Sequence, residues 1–146
     1  MPRPRVRSQV KAAVKRRAQG CCEYCWSQEA FSPDTFSVEH IIAIAKGGTN
    51  DENNLAQACQ GCNNRKYVSS EALDPLTGEV VPLYHPCRDR WDEHFAWNDD
   101  FSLVIGLSPS GRATVETLRL NRTSVVNLRR LLYERGLHPL ESLGDI

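Results

Sequence analysis

Two Cys-x-x-Cys pairs, Cys22-Glu23-Tyr24-Cys25 and Cys59-Gln60-Gly61-Cys62, stand thirty-three residues apart in a chain of 146. No other feature restricts the fold as much. A Cys-x-x-Cys turn folds the backbone back within two residues and sets two sulfur ligands on one side of a metal. Two such turns complete the tetrahedral set that a structural zinc requires. The interval is longer than in short zinc modules and leaves room for a hairpin between the turns. Zinc held by Cys22, Cys25, Cys59 and Cys62 would tie the ends of that segment together, supplying stability that short strands do not generate alone. The competing reading is four buried or redox-active thiols. Cys21 is a rival ligand at a poorer spacing to Cys25, and Cys87 is left over.

A disulfide framework would also use an even number of cysteines, but the first twenty residues lack the apolar core of an export signal. No run of eighteen apolar residues offers a membrane span. The expectation is a cytoplasmic protein in a reducing compartment, with no membrane partner. The length suits one domain, residues 1–146, made of a basic arm and helix (1–20), a core (21–68) and a C-terminal extension (69–146).

A net charge of zero conceals segregation along the chain. Residues 1–20 hold seven basic residues (Arg3, Arg5, Arg7, Lys11, Lys15, Arg16, Arg17) and no acid, whereas residues 67–110 hold eight acids against two arginines. Such an arm attracts polyanions whatever the global charge, although a solvated basic face is the plainer reading.

Hydrophobic spacing predicts an α+β fold. Val10, Ala13, Val14 and Ala18 recur at helical intervals after Ser8, a candidate N-cap, and Gly20 closes the segment. Thr35–Ile41 and Leu55–Ala58 read as short strands around a polar, turn-rich loop, and Asn63–Val68 as the opening of a helix. Further on, Leu73–Glu79 reads as a turn and Trp91, His94, Phe95 and Trp97 as a core cluster. Residues 101–108 and 112–120 alternate like paired strands, and a helix capped by Asn121 or Thr123 follows, with Val125, Leu128 and Leu132 on one face.

Between the cysteine pairs, Glu39-His40, Gly47-Gly48, Asn54-Leu55 and Cys59-x-x-Cys62-Asn63 follow one another in a fixed order. This order resembles the HNH endonuclease family, in its His-Asn-Asn form, over roughly residues 20–67. A weaker likeness to short bacterial members continues through residues 75–95. The resemblance implies a ββα-metal fold with an appended β-hairpin and C-terminal helix. It also resolves an oddity: on a regular strand Glu39 and His40 would point to opposite faces, but where the strand leaves its pleat both can reach one phosphate.

The resemblance further implies that His40 is the general base, imidazole having a reference pKa of about 6.5. Glu39 and Asn63 would offer oxygen ligands to a divalent cation, magnesium or manganese, distinct from the zinc. Asn54 would bond across the loop and hold the histidine in orientation. Glu39 stands where Asp is usual, which lengthens the reach by one methylene, and Asn64 is an alternative to Asn63. Lys46, Arg65 and Lys66 are candidate phosphate contacts, and Arg119, Arg122, Arg129 and Arg130 could extend that surface. The implied activity is metal-dependent hydrolysis of phosphodiesters, with DNA as the substrate. The competing functions are a non-catalytic, zinc-stabilised nucleic-acid-binding module and a protein-interaction domain that presents the acidic segment 89–100.

Overall fold

The computed structural model describes residues 5–140. They gather into two compact units, one running to Ser70 and taking in His85–Arg88, the other formed by Glu71–Tyr84 and the residues from Asp89 onward. Arg3 of the basic arm lies outside the described residues. No helix among them is long and apolar enough to cross a membrane.

In the first unit, helix α1 (Ser8–Ala18) buries Val14 and Ala18. Ser8 is not its cap. The cap residue is Arg7, without a side-chain bond, and its carbonyl accepts from Val10 and Lys11 N–H, so Ser8 is already helical. Gln19 and Gly20, at φ 54° and 77°, turn the chain out of the helix. Two residues of the basic face are tied inward: Arg17 Nη2 donates to Glu23 Oε1 at 2.7 Å and to the Leu55 carbonyl at 2.6 Å, and Lys15 Nζ to Gln57 Oε1 at 3.4 Å. Arg5, Arg7, Lys11 and Arg16 stay exposed.

Strands β1 (Ser37–His40) and β2 (Leu55–Ala58) pair antiparallel, from Ser37 opposite Ala58 to His40 opposite Leu55. β2 is buried throughout. Helix α2 (Gln60–Lys66) begins three residues before the expected Asn63 because Cys59 is its cap, the sulfur accepting from Cys62 N–H. The second cysteine pair is thus itself the first turn of the helix.

In the second unit, β3 (Glu71–Leu73) and β4 (Val80–Pro82) form a hairpin across the expected turn. Helix α3 (Trp91–His94) leads into β5 (Phe95–Trp97), which pairs antiparallel with β6 (Val104–Gly106). The expected pairing of 101–108 with 112–120 is therefore wrong: residues 109–118 are helix α4 (Pro109–Leu118). Ser108 caps it, accepting from Gly111 N–H at 2.9 Å, with Pro109 in the first turn. That start signal outweighs the alternation that follows it. Gly111 is obligatory, since a Cβ there would stand 2.0 Å from the His94 carbonyl oxygen.

Trp91 packs on Phe95 and Trp97 with ring centroids 5.5 and 5.6 Å apart; of the expected core cluster Trp91 and Phe95 are buried, while Trp97 and His94 are half-buried. Helix α5 (Thr123–Glu134) is capped by neither expected residue. Arg122 is the cap position, and the Asn121 amide instead holds both backbone groups of Val104 at 2.8 Å. Val125 and Leu132 are buried as expected, while Leu128 is half-buried. Arg129, a candidate surface cation, is buried and donates to the Ser102 and Leu120 carbonyls at 3.0 and 2.8 Å.

Asp74 opens the β3–β4 turn. Its buried carboxylate takes Arg112 Nε at 2.9 Å and Nη2 at 2.8 Å, and also Leu76 N–H and the Thr77 hydroxyl. The Arg112 guanidinium, aided by those turn donors, holds Asp74 well below the usual carboxylate range. A depressed carboxylate stabilises the fold above its unfolded pKa, about 3.9, and that contribution is lost as pH falls further. Thermal midpoints of the intact chain should therefore fall more steeply below about pH 4 for wild type than for Asp74→Asn, which starts lower and changes less.

Candidate functional site

Cys22, Cys25, Cys59 and Cys62 bring their sulfur atoms within 4.8 Å of one another, all four buried. Each pair closes on itself through an amide, Cys25 N–H to Cys22 Sγ at 3.5 Å and Cys62 N–H to Cys59 Sγ at 3.4 Å. Cys25 and Cys59 sulfurs lie 3.7 Å apart. Hydrogen bonding within the cluster, from Cys22 first, holds the Cys25 thiol well below the usual range, and burial pushes Cys22 well above it. Four sulfurs in one closed space cannot all carry charge without a cation. The donor set, its closure and its amide bonds fit a structural zinc. Cys21 stands outside the cluster, its thiol pushed up to about 11 chiefly by burial.

β1 delivers the polar pair that its alternation would have separated. His40 is the last residue of the strand, and the chain turns away at the buried Ile41. Glu39 and His40 consequently line one cleft, of about 390 Å³, together with Asn63 and Asn64 from α2. Ala43, Ile44, Tyr67 and Val68 form the rest of its wall. His40 Nε2 lies 2.7 Å from Asn50 Oδ1, an oxygen that can only accept, so this ring nitrogen is the donor of the pair.

Asn54 works on the loop and not on the imidazole. Its buried amide accepts from Ile42 N–H at 2.9 Å and donates to the Ile42 and Thr49 carbonyls at 3.0 and 2.8 Å, while its own carbonyl accepts from Ile41 N–H. The loop passes so close that a Cβ on Gly48 would lie 1.8 Å from the Ile42 oxygen. The residue that touches the histidine is Asn50, which the motif order does not single out. Its only signal was a place in a polar loop rich in amides.

The three candidate cations differ. Lys46 is exposed as the last residue of the short 3-10 turn Ile44–Lys46, and Arg65 is exposed on α2, bonded to the Gly61 carbonyl at 3.1 Å. Lys66 is only 5% exposed. Its ammonium donates to the Ile41 carbonyl at 2.7 Å and points at that of His40 at 3.5 Å, and burial lowers its pKa to about 8. Instead of facing solvent, it braces the end of β1 that carries His40.

Residues 22–69 match the family model of HNH endonucleases. That segment is an HNH domain. The match begins at Cys22 and ends just past α2, so the cysteine cluster and the cleft both belong to the HNH domain. The chain is also 32% identical over 143 residues to Septu protein PtuA of Bacillus mycoides (strain KBAB4), an alignment that takes in 82% of this chain and 20% of that protein. It thus spans about a fifth of the length of the curated relative it matches.

Proposed function

We propose that the HNH domain is a metal-dependent endonuclease acting on DNA. The observation that supports this best is the convergence of Glu39, His40 and Asn63, from a strand end and a helix, on one cleft. In this reading the core is a ββα-metal fold. His40 Nδ1 takes a proton from a water; that water's oxygen bonds to phosphorus; the bond from phosphorus to the 3′ oxygen breaks. The 3′ oxygen acquires a proton from solvent, leaving a 5′ phosphate and a 3′ hydroxyl. Asn50 keeps the imidazole in the tautomer this needs, and Asn54 fixes the loop on which Asn50 sits.

Glu39 and Asn63 offer oxygen donors that suit magnesium or manganese. Such a cation would neutralise charge on the phosphoryl and departing oxygens. Supercoiled plasmid should be nicked or linearised with magnesium or manganese present and remain intact with a chelator of those ions. Binding without cleavage under every metal tried would favour the zinc-stabilised binding module.

Lys46 and Arg65 are the proposed phosphate contacts. Neutralising one phosphate contact lowers the salt slope of binding to duplex DNA by about one ion. Lys46→Gln should show that reduction in affinity measured across a salt series. Lys66→Gln should leave the slope unchanged, because its ammonium is spent on two backbone carbonyls.

A further inference from the structure

The cleft lined by Glu39 and His40 also has apolar members, Ala43, Ile44, Tyr67 and Val68, and the most exposed of them has an unusual backbone. Tyr67 ends α2 at φ 49°, ψ −123°, its N–H bonded to the Asn63 carbonyl at 2.9 Å. Gln19 and Arg119, which end α1 and α4, also have positive φ but lie in the left-handed region, at ψ 38° and 57°; the ψ of Tyr67 sets it apart, in a region that side chains rarely adopt. Burial offers no compensation, because Tyr67 is 77% exposed, and neighbouring Val68 is 43% exposed. Strain that packing does not repay points to use by a ligand. The cleft is lined by a carboxylate, an imidazole and amides and also by an aromatic ring and aliphatic side chains. A nucleotide offers surfaces of the same two kinds, phosphate and base.

We propose that Tyr67 is a stacking platform for an unpaired base beside the scissile phosphate, so that the site takes DNA with locally unpaired nucleotides in preference to continuous duplex. This rests on the nuclease reading above. A base in continuous duplex has both faces covered by its neighbours and cannot present one to the ring, whereas an unpaired base can. Stacking contributes without counterion release, so it adds affinity without adding salt dependence.

The test uses the full zinc-loaded chain carrying His40→Ala to prevent cleavage. Its probes are oligonucleotides with a single 2-aminopurine, offered single-stranded, fully paired, or unpaired at one position. Tyr67→Gly removes the ring and relieves the backbone, so its thermal stability should equal or exceed the parent's. It should bind the unpaired probes about tenfold more weakly, with the salt slope unchanged and 2-aminopurine quenching lost. Tyr67→Phe should retain both affinity and quenching. Parental affinity in Tyr67→Gly overturns the platform, as does equal loss in Tyr67→Phe, which would make the hydroxyl the contact.

The two readings fail separately. Cleavage of an oligonucleotide unpaired at one position that is indifferent to Tyr67→Gly sinks the platform alone. Tyr67-dependent quenching in a chain whose wild type cleaves nothing sinks hydrolysis alone. Failure of every probe to bind overturns the platform and, with no cleavage, the nuclease reading as well.

Discussion

Cys59→Ser, or prolonged treatment with a strong zinc chelator, should abolish the cooperative unfolding of the HNH domain. The expected effect is large because of what the metal is asked to do. Apparent binding free energies at structural zinc sites run to about 10–16 kcal/mol, whereas a whole domain is stable by about 5–15 kcal/mol. Here the cluster joins the turn after α1 to the first turn of α2, and the strands between them are four residues each. Cys21→Ser is the matched control. Cys21 lies outside the cluster, so that variant should keep one zinc per chain and its transition. Metal analysis and far-UV melting of the two variants side by side read both outcomes, and an undiminished transition after zinc removal would contradict the assignment.

The second large effect concerns Glu39 and Asn63. Manganese titrated into zinc-loaded chain should bind at one exchangeable site, and Glu39→Ala combined with Asn63→Ala should weaken it by at least about tenfold, since two of the few protein oxygens a hard cation uses are gone. The cysteine zinc should be untouched, because none of its four ligands is altered. Cleavage should fall along with manganese binding. Asn50→Ala probes a different link: it removes the acceptor that sets the His40 tautomer, so cleavage should drop while manganese binding stays. Equal manganese binding in wild type and the Glu39/Asn63 double variant would mean that the cleft holds the ion by other groups.

Much of the first unit was legible because its constraints are local. Cys-x-x-Cys spacing announced the cluster, and β2 came out with the bounds expected of the short strand Leu55–Ala58. The ordered motif placed Glu39, His40 and Asn63 on one cleft, although strand periodicity alone would have parted the first two. The start of α2 was missed because its cap is a sulfur, and cysteine is not among the residues that mark a helix start.

What stayed hidden depends on two local signals in conflict, on contacts distant in sequence, or on burial. Residues 112–120 alternate as well as many strands, and it is the Ser108 cap with Pro109 that commits the chain to α4. Lys66 and Arg129 look like surface cations in a string of letters, yet packing turns both inward onto carbonyls. Asn50 could not be singled out from its neighbours in the loop until the loop was folded back over His40.

The most direct measurement is cleavage of supercoiled plasmid in magnesium by zinc-loaded wild type and His40→Ala in parallel, both checked for one bound zinc and an intact melting transition. A positioned general base contributes about 10²–10⁴-fold, so the variant should be slower by at least about a hundredfold. Equal rates, or no cleavage by either chain on single-stranded, duplex and partly unpaired DNA, would contradict the account.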